Sequence, residues 1–195
     1  MKIGRPDAWW NRRIPIGRLC LAMGVVLAGL YVWLAFGDLI SSTIWGVRHQ
    51  RTASFRGQTL QVPWFWREKT WTNYNEFELT RPYGGLAFPS DVTVRHQNIS
   101  PDDVQRTVER MKRMSNESAQ KFQMPNLFYK DYEGDDFTRM HYLCMERGPS
   151  GSLTLFVECY SRDGRWNVSI IGLKRSRSEF ETILRGVAFM GNPSK

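Results

Sequence analysis

Three histidines and three cysteines are all that 195 residues offer of the side chains most used for metal binding and nucleophilic chemistry. His49, His96 and His141 fall in separate segments, without the i,i+4 or short-loop spacing of a metal pair. Ser150 sits in "GPSG", which lacks the G-x-S-x-G spacing of a nucleophile elbow. The acidic run Asp131–Asp136, "DYEGDD", does not fit the twelve-residue calcium loop and reads as a solvated loop. No metal or cofactor is therefore expected. An enzymatic alternative would need a site assembled from scattered residues around His96, His141 and the acidic loop.

Long apolar runs are also scarce. The one present, Leu19 to Gly37, "LCLAMGVVLAGLYVWLAFG", carries no charge and continues apolar or neutral after Asp38 to Val47. About 20 apolar residues suffice to cross hydrocarbon, so residues 19–47 read as a single transmembrane anchor. A cleaved signal peptide is the competitor, since Ala35 and Gly37 are small residues two apart. Signal cores usually run about 7 to 15 residues, and this run is longer, which favours the uncleaved anchor. Lys2, Arg5, Arg12, Arg13 and Arg18 precede the span, against Arg48, Arg51 and Arg56 just after it. The positive-inside rule then puts residues 1–18 in the cytoplasm and the C-terminal part outside it.

A strong one-sign charge is missing once the chain is divided. Of 27 basic residues five precede the span, leaving 22; of 19 acidic residues Asp7 and Asp38 precede Arg48, leaving 17. The remaining excess of five is interspersed, unlike the concentrated patch of a nucleic-acid protein, so no nucleic-acid partner is expected. Anionic lipid headgroups are a better use for it.

Residues 48–54 read as a polar tether and 55–195 as an α+β domain. Strands are expected over Thr59–Val62, "EFELTRP" with Phe77 and Leu79 on one face, and "DVTVRHQ" with Val92 and Val94 together. A helix is announced at Ser100, with Pro101 at N1 and Asp102 and Asp103 in its first turn. Its apolar-to-small stripe is Val104, Val108, Met111, Ser115, Ser118 and Phe122, and its opposite face carries Arg106, Arg110, Lys112, Arg113 and Lys121. From Phe137 to Ser176 three antiparallel strands are expected, with turns at "GPSG" and Asp163-Gly164. Facing Arg162 with Arg165 sets Cys159 opposite Val168. Facing Arg147 with Ser152 sets Cys144 opposite Leu155. Cys144 and Cys159 then share a face but stand about 13 Å apart along the strands, beyond the roughly 7 Å a disulfide spans, so two buried free thiols are expected. A second helix begins with a Ser178–Glu181 capping box and buries Phe180, Ile183, Leu184, Val187 and Ala188, with Gly191 at its C-cap.

The stretch "QVPWFWREKTW" concentrates three tryptophans. Extending the inward parity of Leu60 and Val62 through Pro63 places Trp64 and Trp66 in the core. Phe65 and Trp71 are left as candidates for partner or bilayer contact, alongside Arg106, Arg110 and Arg113 on the helix.

A strand ending in "VPWFW", two further strands, a capped helix, a three-strand meander and a closing helix "FETILRGVAF" resemble the PsbP/Mog1-like fold, including its bacterial DcrB-type members. The resemblance covers about Phe55 to Met190. It implies an antiparallel sheet flanked by two helices, a binding or accessory role more often than catalysis, and no functional residue carried over. Together these readings describe a single-pass protein of the bacterial inner membrane with an extracytoplasmic domain that meets lipid through its helix and a protein partner, lipid or envelope component through its fold.

Overall fold

The uncharged run and the turns after it form one helix, α1 (Ile16–Arg48), in the computed structural model, which describes residues 16–69, 75–83, 88–124, 127–148 and 152–190. Its apolar stretch is long enough to cross a membrane and no part of that window is buried in the fold. The last turns behave differently. Ser42 is fully buried, Trp45 packs on the hydrophobic core, and Arg67 donates from Nη1 to Ser41 Oγ (2.8 Å) and from Nη2 to Asp38 Oδ1 (3.1 Å). After a turn at residues 49–51 the chain enters β1 (Thr52–Phe55), which pairs with β2 (Gln58–Gln61). The segment expected to be a polar tether thus includes a strand with Ala53 buried, because Ala53 and Phe55 share one face and cover the core.

Among the described residues seven strands make one antiparallel sheet: β3 (Arg67–Glu68), β4 (Glu76–Arg81), β5 (Ser90–His96), β6 (Tyr129–Asp131), β7 (Tyr142–Arg147), β8 (Thr154–Ser161) and β9 (Trp166–Leu173), in the order β3-β4-β5-β9-β8-β7-β6. Phe77, Leu79, Val92, Val94, Val157, Val168 and Ile170 alternate onto one face, where the β1–β2 hairpin and the closing helix α4 (Arg177–Phe189) cover them. Fully burying each such side chain contributes about 1.5–3 kcal/mol. The other face is covered over β6, β7 and β8 by α2 (Pro101–Lys121), whose Val104 and Val108 meet Met145 and Tyr160. The expected antiparallel sheet with helices against it is present.

Several local expectations are corrected. Phe137–His141 is not strand but belongs to a short helix, α3 (Asp136–His141), because the Asp135 carboxylate accepts from Thr138 N–H (2.8 Å) and caps it. The β8–β9 register is as expected, with Cys159 opposite Val168. The β7–β8 register is not: Arg147 pairs with Phe156 and not with Ser152, a shift of four residues. Cys144 therefore faces Cys159 with Cα atoms 4.1 Å apart, and the two form a disulfide in place of the expected free thiols. Helix α4 starts one residue before the expected capping box. Its N-cap is Ser176, after a 3-10 turn at Lys174–Ser176, while Glu181 accepts from the Tyr132 hydroxyl at 2.9 Å. On α2 the buried stripe continues from Ser115 to Ala119, leaving Ser118 and Phe122 exposed. Gly191 lies outside the described residues.

Trp66 is in the core, as expected, whereas Trp64 is 50% exposed. The alternation fails because Phe65 adopts φ 68° and Trp66 N–H closes a turn onto the Pro63 carbonyl (3.3 Å).

The Asp163-Gly164 turn carries the first mutational prediction. Gly164 has φ 74°, and a Cβ there would lie 1.8 Å from the Ile99 carbonyl oxygen. Gly164→Ala combines left-handed strain with a backbone clash and is expected to cost about 2 kcal/mol or more in a urea melt. A loss under 0.5 kcal/mol would contradict the close approach of the 97–99 segment to this turn.

Candidate functional site

The end of helix α2 opens an apolar concavity on the surface of the fold. Ala119 is its last buried residue. Phe122 and Met124 then close its C-terminus by donating backbone N–H groups to Ser118 (3.0 Å) and Ala119 (2.8 Å), with Gln123 at φ 52° between them. The chain returns through Leu127 and Phe128 to β6, where Tyr129 N–H donates to the Asn116 side chain at 2.9 Å. Two adjoining cavities result. One of about 410 Å³ is lined by Met111, Met114, Phe122, Met124, Leu127 and Arg147. The other, about 520 Å³, lies between Asn116, Gln123, Met124 and Phe128. Both fall in the size range of ligand pockets. Met114, Phe122, Met124 and Phe128 are each between 44% and 66% exposed. Such a contiguous group is unlike the scattered apolar residues of an ordinary surface, and methionine lends it adaptable packing.

A second, polar arrangement sits at the end of β4, β5 and β9. The Tyr83 hydroxyl shares hydrogen bonds with Ser90 Oγ (2.8 Å) and Ser176 Oγ, and both serines are fully buried. The Arg175 guanidinium lies over the Tyr83 ring at 3.8 Å and that of Arg81 at 4.7 Å. Burial pushes the phenol's pKa up, but hydrogen bonds from Ser176, Ser90 and Arg81 and the Arg81 charge outweigh it, so the group sits below its usual value. Glu179 joins the cluster to the core by pairing with Arg81 (3.2 Å) and accepting from Trp66 Nε1 (2.7 Å). Gly172 makes room for it, since a Cβ there would lie 2.4 Å from Ser90 Cβ.

The residues singled out from sequence do not form one site. Arg106, Arg110 and Arg113 are exposed along α2, and Arg106 pairs with Asp103 at 3.3 Å. Phe65, 38% exposed, lies by the opposite edge of the sheet next to β3. Trp71 falls outside the described residues. The His96–His141–acidic-loop alternative finds no constellation either. His96 stands edge-on to Trp166 at 5.0 Å, and burial, then the charges of Arg56 and Arg165, hold its pKa below the usual histidine value. His141 packs on Phe137 at 4.2 Å beside a cavity of about 180 Å³. Ser161 and Asp163 line that cavity, yet they are committed to the turn: Ser161 Oγ donates to Asp163 (2.6 Å) and accepts from Trp166 N–H (2.8 Å). Asp135 caps α3 and pairs with Arg185. No group of three His, Cys, Asp or Glu residues could hold a metal ion among the described residues.

The groove at the end of α2 has no helical or strand periodicity to mark it. Its signal in the sequence is "KFQMPNLFY", where apolar residues persist after the helical period has ended. No family model, curated protein or solved structure matches the chain.

Proposed function

We propose that this is a single-pass protein of the bacterial inner membrane whose extracytoplasmic domain binds an apolar segment of a protein partner in the groove at the end of α2, without catalysis. The groove carries the reading: two adjoining cavities with Phe122, Met124 and Phe128 at their mouths are the exposed apolar concavity a binding module needs. The anchor is supported by α1, apolar and unburied over its first two thirds. The side of the membrane is supported by the Cys144–Cys159 disulfide, which belongs to an oxidising compartment, and by the basic residues before the span. The PsbP/Mog1-like assignment belongs to the same reading, supported by α2 inserted between β5 and β6, the β7–β8–β9 meander and the closing α4.

Photo-crosslinking from native membranes tests it, with a benzophenone amino acid placed in the full chain at Phe122 or, as control, at Glu109 on the exposed side of α2. A discrete adduct is expected from the Phe122 position alone, and Met124→Glu should reduce its yield at least tenfold while shifting stability by no more than about 0.5 kcal/mol. Equal adducts from both positions, or a yield indifferent to Met124→Glu, would remove the groove as the binding site.

A further inference from the structure

The strand registers sort the exposed residues of the domain into two ends, and one end has an unusual composition. Arg67 pairs with Thr80, Arg81 with Ser90, Asp91 with Ile171, and Leu155 with Gly172, so these residues mark a single end of the sheet. Phe88 lies two residues before Ser90 and is 84% exposed. Leu153, 79% exposed, is tied to the end of β9 by the hydrogen bond from Lys174 N–H to its carbonyl (2.8 Å), one strand over from β5. The turn before Arg67 presents Trp64 and Phe65 at 50% and 38% exposure. Lys174 and Arg175 are exposed between these apolar residues and have no carboxylate partner among the described residues. Arg175 is held in place over Tyr83.

The same end is tied to α1. Arg67 grips Asp38 and Ser41, and Asp38 is the first charged residue after the run Leu19–Gly37. A 19-residue run spans about 28 Å at 1.5 Å per residue, close to the hydrocarbon thickness. Asp38 would then stand at the headgroup level, and the grip from Arg67 brings this end of the sheet to the same level.

We infer that this end of the domain lies on the outer surface of the same bilayer, with Trp64, Phe65, Phe88 and Leu153 entering the interfacial layer and Lys174 and Arg175 meeting anionic headgroups. The inference rests on the anchored reading of α1. Aromatic rings and long aliphatic side chains are favoured at the interface, where an apolar body and a wet rim coexist. Basic residues attract anionic lipid within a Debye length of the surface, about 8 Å at physiological ionic strength. The opposite end supplies the contrast: the Asp163-Gly164 turn and the start of α2 present Asp102, Asp103, Arg162 and Asp163, of mixed charge.

The test uses the full chain with Cys20→Ser in proteoliposomes, the native disulfide kept oxidised, and an environment-sensitive fluorophore on Leu153→Cys, Phe88→Cys, Asp102→Cys or, within the span, Val25→Cys. Quenching by lipids spin-labelled near the headgroup is compared in purely zwitterionic and in 30% anionic vesicles. Strong quenching is expected from the Leu153 and Phe88 positions, none from Asp102, with the largest effect in anionic vesicles. Lys174→Gln or Arg175→Gln should each lower the docked-to-undocked ratio about fivefold. Quenching by lipids spin-labelled deep in the chains should reach Val25. If Val25 is quenched but Leu153 and Phe88 are no closer to the headgroups than Asp102, the docked face is overturned while the anchor stands. If Val25 itself is not quenched, the anchor and the docked face fall together.

Discussion

Replacing Trp66 with alanine is expected to lower the stability of the domain by about 3–5 kcal/mol, the range for truncating a buried aromatic side chain. Trp66 is 1% exposed and is among the largest fully buried side chains. Its indole also joins two elements, because Nε1–H donates to Glu179 in the first turn of α4. Removing it opens a cavity between the hairpin, the sheet and α4 and deprives Glu179 of one partner. At roughly 3 °C per kcal/mol for a domain of this size, the melting temperature should fall by about 10–15 °C. Trp64→Ala should change it by less than about 2 °C, since half of that ring is already in water and its neighbour is the Arg51 guanidinium at 4.8 Å. Far-UV circular dichroism melts of the two variants decide the matter. Equal losses would mean that the turn at Pro63–Trp66 does not divide the tryptophans as described.

The second large effect comes from the disulfide. Cys144 and Cys159 are 15 residues apart, and closing a loop of that length removes about 3 kcal/mol of chain entropy from the unfolded state. The double variant Cys144→Ser/Cys159→Ser should therefore melt about 10 °C lower. Intact-mass measurement of the native chain should show a gain of two hydrogens on reduction. A chain whose mass is unchanged by reductant would refute the bridge, and with it the compartment argument it supports.

These two residues also show where the sequence was readable. Cys144, Leu155, Cys159 and Val168 take the face expected of them because side-chain direction depends only on parity. The Asp163-Gly164 turn fixed the β8–β9 register, its glycine supplying the left-handed backbone such a turn needs. The connection between β7 and β8 gave no comparable constraint. An error of four residues there preserved every face, since four is even, and still mispaired both cysteines. Trp64 departs from expectation for the reverse reason: one residue, Phe65, takes a positive φ and breaks the alternation from Leu60 and Val62. Phe137–His141 carries no helical signal in the sequence, because an Asp cap and one to two turns leave no periodicity to see.

The candidate surfaces were less legible. The groove needs Ala119 buried and Phe122 exposed, a change of helix face late in α2 that depends on where the sheet stops. The Tyr83 cluster joins residues 7 and 93 positions apart in the chain, and no local pattern announces it.

The junction between α1 and β1 has a mechanical consequence. A flexible seven-residue connection would let the base of the domain wander by roughly 15 Å. Here Arg51 N–H bonds the Gly46 carbonyl at 2.8 Å, Thr52 N–H bonds that of His49 at 2.9 Å, and β1 begins at once. With Arg67 gripping Asp38 and Ser41 lower down, α1 is attached to the domain at two heights, as a shaft is keyed to a wheel. On the anchored reading, a twist of the helix about its own axis, imposed by a neighbour inside the bilayer, would swing the α2 groove through the same angle outside it.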